Sequence, residues 1–373
     1  MAIQTKKKPV QANTENSFQQ LLKSLNSQNN LSTKDRKFFT EQMALLLETG
    51  SSLQASLQAL QNQLIKPAMV DLVKQLRKDI EQGHQFSVAL SRHPGFFSPT
   101  YINLISASED GGYMHEVLEQ LQDMEEKREQ LRQTMISALS YPIFLLVFAL
   151  AVVVFVLVVV FPKFADLFSQ IADELPATTV FLMAASEIIK HNWPLLIGGF
   201  ALIIISYKFW SSTENGQQKM DWFKLHTPLI KDIFTQLYLV QSLRVLSLSL
   251  GNGVNILDSL QASRDVVNNR IFQQFMQHVE DQVEQGNGIA IGFQNTSFIP
   301  PVVAQMIKTG EETGNLSKVL RRLASYYETE LSNKLQTVSR LAEPLMLLVM
   351  GGVVGLIVSS LILPIFKLSR AVG

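Results

Sequence analysis

Two pairs of adjacent acidic residues are the best candidates for a chemical site, because each precedes a glycine turn at a corresponding place in the two halves of the chain. The pairs, with the glycine that follows each, are Glu109-Asp110 with Gly112 and Glu311-Glu312 with Gly314. Paired carboxylates suit a contact with a basic partner or a weak divalent-cation site of hard oxygen ligands. Equally, they are solvated carboxylates near a helix N-terminus, where negative charge is favourable by about 0.3–1 kcal/mol. The two glycines are expected to serve the turns.

The residues that enzymes use most often are not grouped in this sequence. It contains no glycine-rich phosphate loop ending in Gly-Lys-Ser/Thr, no His-Glu-x-x-His helix and no Gly-x-Ser-x-Gly elbow. The absence of cysteine excludes disulfides, thiolate metal sites and cysteine nucleophiles. The six histidines occur singly, at His84, His93, His115, His191, His226 and His278. We therefore expect a protein that is not an enzyme and that carries no cofactor and no metal.

Composition favours a chain that is partly embedded in a membrane. The 373 residues include 32 basic and 32 acidic side chains, so that the formal net charge is zero and nothing favours nucleic acid as a partner. Charged residues make up 17% of the chain, below the quarter or so that is usual for soluble proteins, and hydrophobic residues make up 47%.

Three apolar segments predict membrane-spanning helices. They are residues 141–162, 193–210 and 344–366. No Asp, Glu, Lys or Arg interrupts the first from Tyr141 to Phe161, and at about 1.5 Å per residue it is long enough to cross a hydrocarbon core of roughly 30 Å. Pro142 is expected in its opening turn and Pro162 at its end. Pro344 and Pro364 are expected to bound the third span in the same way.

Small residues on the third span predict close helix packing. Gly351 and Gly355 form a Gly-x-x-x-Gly face, with Ser359 one turn further on. Such a face lets two helices approach closely. The expected partner is either a second copy of the protein or the first span of the same chain; the alternative is glycine that is merely tolerated in a membrane helix.

Two polar regions with helical periodicity are predicted to be bundles that repeat one another. They are residues 30–135 and 215–340. Glu81-Gln82-Gly83 aligns with Glu284-Gln285-Gly286 at an offset of 203 (284 − 81), and Pro99 aligns with Pro301 at an offset of 202 (301 − 99). A period this long indicates a duplicated domain. The predicted fold is all-α: an integral membrane protein with three transmembrane helices and two duplicated cytoplasmic helical-bundle domains.

The distribution of basic residues predicts the orientation in the membrane. Basic side chains precede the first span at Lys127, Arg128 and Arg132 and follow the second at Lys208, Lys219, Lys224 and Lys231. By the positive-inside rule both bundles are cytoplasmic, whereas residues 163–192 and the tail 367–373 lie on the periplasmic side. Residues 1–29 are predicted to be a disordered polar tail.

The chain resembles the inner-membrane platform proteins of type II secretion and type IV pilus machines (the GspF/PilC family). The resemblance covers nearly the whole chain after the N-terminal tail. The motifs that carry it are LETGSSLQASLQAL (47–60), LGNGVNILDSLQAS (250–263), ETGNL (312–316), SYPIFLLVF (140–148), VVVFPKF (158–164) and ELPATT (174–179). Each is weak alone; in this order, and in both halves, they are specific. The first half departs from the pattern, with EDGGYM where the second half has EETGNL.

This resemblance implies a non-enzymatic role. Platform proteins of this family contact a hexameric assembly ATPase through their cytoplasmic domains and couple its motion to the extraction of pilin or pseudopilin subunits from the lipid bilayer. Other inner-membrane assembly components and a second copy of the protein are further implied partners. The alternatives are a membrane subunit of an ATPase-driven transporter, which should have more spans and a polar intramembrane path, and a signalling receptor, which should have a larger external domain.

Overall fold

The computed structural model describes residues 31–168, 175–228, 230–294, 296 and 298–372. Within these residues the regular elements are helices and none is a strand, which confirms the predicted all-α fold. The predicted disordered tail 1–29 lies outside the described residues.

The first bundle consists of five helices and the beginning of a long sixth one. Its helices are α1 (Thr33–Glu48), α2 (Leu53–Gln63), α3 (Pro67–Glu81), α4 (Phe86–Ser91), α5 (Pro99–Gly111) and α6 (Met114–Phe155). Their core contains the rings of Phe39, Phe97 and Tyr101, whose neighbouring centroids lie 5.4 and 5.1 Å apart. The breaks predicted at glycines and prolines are confirmed, because each lies between two of these helices or at the first residue of one.

The start of α1 is held by its own side chains. Ser32 accepts a hydrogen bond from the Asp35 N–H, and the Asp35 carboxylate accepts one from the Ser32 N–H. This capping box satisfies two backbone donors that a helix N-terminus leaves unpaired. Although burial raises the pKa of Asp35, hydrogen bonds from Lys66 and Ser32 hold it below its usual value.

The second bundle has the same order of helices. They are α10 (Ile230–Gly251), α11 (Ile256–Asp265), α12 (Arg270–Glu284), α13 (Ile289–Phe293), α14 (Pro301–Glu312) and α15 (Leu316–Val372), with α9 (Glu214–His226) packed beside them. Phe272, Phe275 and Phe293 form a line of contacting rings in the core, with centroids 5.6 and 5.1 Å apart. Asp221 joins α9 to this bundle by accepting a 3.0 Å hydrogen bond from the Arg270 N–H.

The long helices do not begin or end at the prolines that were expected to bound the spans. Helix α6 runs on through a π-helical turn, Val156–Val160, into α7 (Phe161–Phe168). The four prolines all lie inside helices; they are Pro142, Pro162, Pro344 and Pro364. The prediction was wrong because a proline removes one backbone hydrogen bond, whereas ending the helix in lipid leaves several groups unpaired. A local π turn is a known way of accommodating the loss.

Exposure separates membrane helices from core helices. Four helical stretches are long and apolar enough to cross a membrane. In the most apolar window of α6–α7, α8 (Ala177–Ser212) and α15, the buried share is 6%, 0% and 11% respectively. Surface of this kind is stable in lipid. In α10 the buried share is 67%, because this helix is the centre of the second bundle.

The second predicted span is part of a longer helix. Helix α8 begins at Ala177, well before the predicted start at Trp193, and a non-helical residue, Asn192, kinks it two positions before Pro194. Much of the predicted external segment 163–192 is therefore helical. Its position relative to the membrane stays a prediction, as does the number of three spans.

Candidate functional site

The first acid of the first pair is a helix cap that comes from a distant part of the sequence. The Glu109 carboxylate accepts hydrogen bonds from the Phe86 N–H, from the Ser87 N–H at 3.0 Å and from the Ser87 hydroxyl at 2.5 Å. These donors lie at the start of α4, whose own N-cap residue, Gln85, makes no side-chain cap. Glu109 therefore pairs backbone N–H groups that the short helix leaves open.

Glu311 does the same in the second bundle. It accepts hydrogen bonds from the Ile289 N–H at 2.5 Å and the Ala290 N–H at 3.0 Å, at the start of α13. The N-cap position here is Gly288, and a Cβ built on it would lie 2.9 Å from the Glu311 Oε2 atom. Glycine thus makes room for the carboxylate. Because both oxygens of each glutamate already face donors, neither carboxylate offers a free ligand pair for a cation.

The second acid of each pair differs from the first. Glu312 is exposed and lies 3.8 Å from the Lys308 ammonium group, and a surface ion pair of this kind contributes little to stability. Asp110 lies in α5, and its side chain is outside the described ones. Among the described side chains, no group of three His, Asp or Glu residues is arranged to hold a metal ion. A contact with a basic partner therefore rests on Glu312.

Both predicted turn glycines have left-handed backbone conformations. Gly112 has a φ of 75° and Gly314 a φ of 66°. The Gly112 N–H donates to the Ser108 carbonyl at 2.9 Å, and the Gly314 N–H donates to the Glu311 carbonyl at 3.2 Å, so that each glycine ends a helix. This is the conformation that glycine adopts without steric cost.

Gly314→Ala is expected to destabilise the protein by about 1–2 kcal/mol, because a Cβ in the left-handed region approaches the following carbonyl oxygen. The measurement is the urea midpoint of protease resistance for the full chain in detergent. Gly95→Ala is the matched control, since Gly95 has no positive φ and no atom within 4 Å of a built Cβ. Equal midpoints for the two variants would contradict the expectation.

The first turn also joins the two bundles, which the sequence did not indicate. The Tyr113 hydroxyl donates to the Asn252 carbonyl at 3.1 Å, and the Asn252 side-chain amide donates to Gln120 Oε1 at 2.8 Å. At the position that aligns with Tyr113, Asn315 is exposed and bonds within its own turn, to the Thr313 carbonyl. The departure of EDGGYM from EETGNL thus places a tyrosine where the first bundle meets the second.

A polar cleft of about 750 Å³ lies between α6, α10 and α15. Charged side chains of both signs line it: Glu119, Asp123, Lys127, Arg244, Arg321 and Glu328. Arg244 and Glu328 form an ion pair across it, with 2.5 Å between nitrogen and oxygen. No local motif announces this cleft, because its walls come from three helices that are far apart in the sequence.

The membrane helices meet near the ends that lie farthest from the bundles. Thr179 in α8 donates to the Ser360 carbonyl in α15 at 2.9 Å, and Ser186 donates to the Leu157 carbonyl at 2.5 Å. A buried apolar cluster surrounds these bonds; it consists of Leu157, Phe161, Leu182 and Ile357. In lipid, small hydroxyl side chains of this kind link helices.

The predicted glycine face of the third span lies elsewhere. Gly351 and Gly355 are exposed, and a Cβ built on either would have no atom within 4 Å. The first span of the same chain therefore does not pack on these glycines, and a second copy stays as the predicted partner.

Comparison with known proteins identifies the family. Residues 39–162 and 242–364 each match the family model described as Type II secretion system (T2SS), protein F. The chain belongs to this family. Both segments of the T2SS protein F match begin in the first helix of a bundle and end at the corresponding proline, Pro162 or Pro364, so that each contains most of a bundle and the apolar helix that follows it.

Named relatives of this T2SS protein F family member include proteins of both pilus assembly and secretion. The Thermus thermophilus type IV pilus assembly protein PilC is 33% identical over 337 residues, which cover 90% of this chain and 82% of the relative. The Pseudomonas aeruginosa type IV pilus assembly protein PilC is 29% identical, with 91% of both chains covered. The Vibrio cholerae type II secretion system protein F is 28% identical, with 91% of this chain and 84% of the relative covered.

Proposed function

We propose that this protein is an inner-membrane platform that couples a cytoplasmic hexameric assembly ATPase to the extraction of pilin or pseudopilin subunits from the bilayer. The result would be growth of a type IV pilus or of a type II secretion pseudopilus. Relatives with both kinds of name support this role. The observation that carries the proposal is the continuity of the long helices between bundle and membrane.

Helix α6 is one unbroken element of 42 residues, or about 63 Å at 1.5 Å per residue. Its first turns are part of the first bundle, where Val117, Leu118 and Leu121 are completely buried. Its last turns are apolar and exposed, as a membrane helix is. Helix α15 joins the second bundle to the membrane in the same way. A displacement of either bundle is therefore passed on along a helix axis, with no flexible linker to absorb it.

This rigidity matches the work that extraction requires. A pilin helix that leaves lipid loses the burial of its apolar face, at roughly 25 cal/mol for each Å² exposed. An ATPase in the cytoplasm has to deliver that work through a body that reaches into the membrane. The hydrogen bonds from Thr179 and Ser186 tie the three long helices together at the other end, so that they move as one unit.

The orientation in this proposal follows the basic residues. Helices α6 and α15 pack on each other and leave their bundles in the same direction, so that both bundles lie on one side of the membrane. Lys127, Arg128 and Arg132 precede the apolar part of α6, which favours the cytoplasm for that side. Segment 163–192 would then face the periplasm.

Glu312→Lys is expected to weaken binding of the assembly ATPase from the same organism at least tenfold, because it places a cation on the exposed acidic turn. The measurement is binding of the ATPase to the full chain in nanodiscs. Glu214→Lys is the matched control: Glu214 is also highly exposed, but it lies in α9, outside both family matches. This control should bind like the native chain.

The outcomes separate the platform from its contact residue. Binding by the native chain that survives Glu312→Lys would keep the platform and remove Glu312 from the contact. No binding by the native chain would contradict the proposed coupling and favour the transporter or receptor alternatives. Loss of pilus or secretion on deletion of the gene, together with ATPase binding, would distinguish the platform from both.

A further inference from the structure

The two bundles of one chain pack through one helix from each. Leu248 of α10 is 8% exposed and belongs to the core of the first bundle, and Leu131 of α6 is 8% exposed and belongs to the core of the second. The bond between Asn252 and Gln120 connects the same two helices. One face of α10 thus lies along one face of α6, in antiparallel directions.

The aligned faces on the other two helices are uncovered. With the offsets of the repeat, α10 corresponds to α1 and α6 to α15. Leu248 corresponds to Leu45 (248 − 203), which is 52% exposed, and Met124 corresponds to Tyr326 (124 + 202), which is 57% exposed. Met124 packs against the first core and lines the cleft beside Leu248. The chain therefore uses one copy of this contact and leaves exposed the two faces that would form another.

The two exposed faces have opposite charge. On α1, Glu41 and Glu48 are exposed on either side of Leu45, and Phe38 is 40% exposed one turn before Glu41; Lys34 is the cation of this face, at its far end. On α15, exposed Lys318 and Arg322 precede Tyr326 at four-residue spacing.

These faces complement each other in two ways. Each carries large apolar side chains that water surrounds in the single chain, so that covering them is favourable. The carboxylates of α1 and the cations of α15 would also attract one another and select this pairing over α1 with α1, or α15 with α15, where like charges meet.

From these faces we infer that a second copy of the chain packs its α15 against α1, repeating between chains the contact that α6 and α10 make within one. The pairing is head to tail, because different faces of the two copies meet. It produces a closed ring if the rotation between copies closes, and an open array if it does not. Both bundles lie on the same side of the long helices, so that neighbouring copies with the same orientation in a membrane can meet in this way. The inference does not depend on the ATPase contact.

The absence of native cysteine makes a direct test possible. Full-length Leu45→Cys and Tyr326→Cys variants, each with a different epitope tag, are co-expressed, and the membranes are treated with a short bis-maleimide. We expect a cross-linked dimer that carries both tags. Ile65→Cys with Tyr326→Cys is the matched control, since Ile65 is 96% exposed on the first bundle but is not on the α1 face. It should give no dimer.

The single variants decide the geometry. Each is first shown to react with a simple maleimide, so that lack of cross-linking reflects distance. A Leu45→Cys variant that cross-links to itself would overturn the head-to-tail arrangement in favour of a two-fold dimer. No 45–326 dimer in either case would overturn the inference altogether.

A charge exchange gives an independent measurement. Reversal of Glu41 and Glu48 to lysine in the Leu45→Cys chain is expected to lower the dimer yield severalfold. Reversal of Lys318 and Arg322 to glutamate in the Tyr326→Cys chain should restore it. A yield unaffected by the first change, or not restored by the second, would contradict the inferred pairing of the two faces.

Discussion

Arg36→Leu is expected to destabilise the first bundle by about 3–5 kcal/mol, because it leaves a buried carboxylate without its cation. The Arg36 guanidinium donates to Glu125 Oε1 at 2.8 Å and to the Phe96 carbonyl at 2.9 Å. The Glu125 side chain is 5% exposed, and its other oxygen has no hydrogen-bond partner. Without Arg36, this carboxylate would have to be neutralised or hydrated inside the bundle, and both cost free energy.

The second bundle supplies the matched rescue. The aligned positions are Leu239 (36 + 203) and Tyr327 (125 + 202), which are 0% and 4% exposed. The same site is thus filled there by apolar packing. Replacing a buried ion pair by side chains that pack well is often neutral or stabilising by about 1–4 kcal/mol. We expect Arg36→Leu with Glu125→Tyr to recover most of the loss that Arg36→Leu causes alone.

Both variants are measured by the urea concentration at which half of the detergent-solubilised chain becomes protease-sensitive. A single variant as stable as the native chain would show that Glu125 is hydrated in spite of its burial. A double variant as unstable as the single one would show that the two bundles are not interchangeable at this site.

Glu311→Gln is expected to destabilise the second bundle by about 1.5–3 kcal/mol, the cost of losing hydrogen bonds to a charged acceptor. The glutamine has one acceptor oxygen for the Ile289 and Ala290 N–H groups, and its amide NH₂ would face the other donor. Glu312→Gln is the control, one residue along and exposed, and should change stability by less than about 0.5 kcal/mol.

The measurement is the same urea midpoint, and equal values for Glu311→Gln and Glu312→Gln would show that the cap contributes nothing. The distinction bears on every binding experiment at these turns. A charge reversal at Glu109 or Glu311 would unsettle α4 or α13, so that lost binding could not be told from lost folding. Glu312 lacks this complication, and the ATPase contact is therefore best tested there.

Features that depend on neighbouring residues were predictable from the sequence. The apolar segments, the helix breaks at glycine and proline, and the left-handed turns at Gly112 and Gly314 follow from side-chain hydropathy and backbone sterics, which act over a few residues. The alignment of the two halves likewise needed only the order of the residues.

Features that depend on which helices meet were decided by the tertiary structure. Glu109 and Glu311 appear in the sequence as acidic loop residues, but the fold brings each to a helix that begins more than twenty positions earlier. Helix α10 is apolar enough for a membrane, yet its partners bury it in a bundle. Hydrophobic burial and hydrogen bonding do not depend on separation along the chain, so that a sequence shows what each side chain can do and only the packed helices show which partner it has.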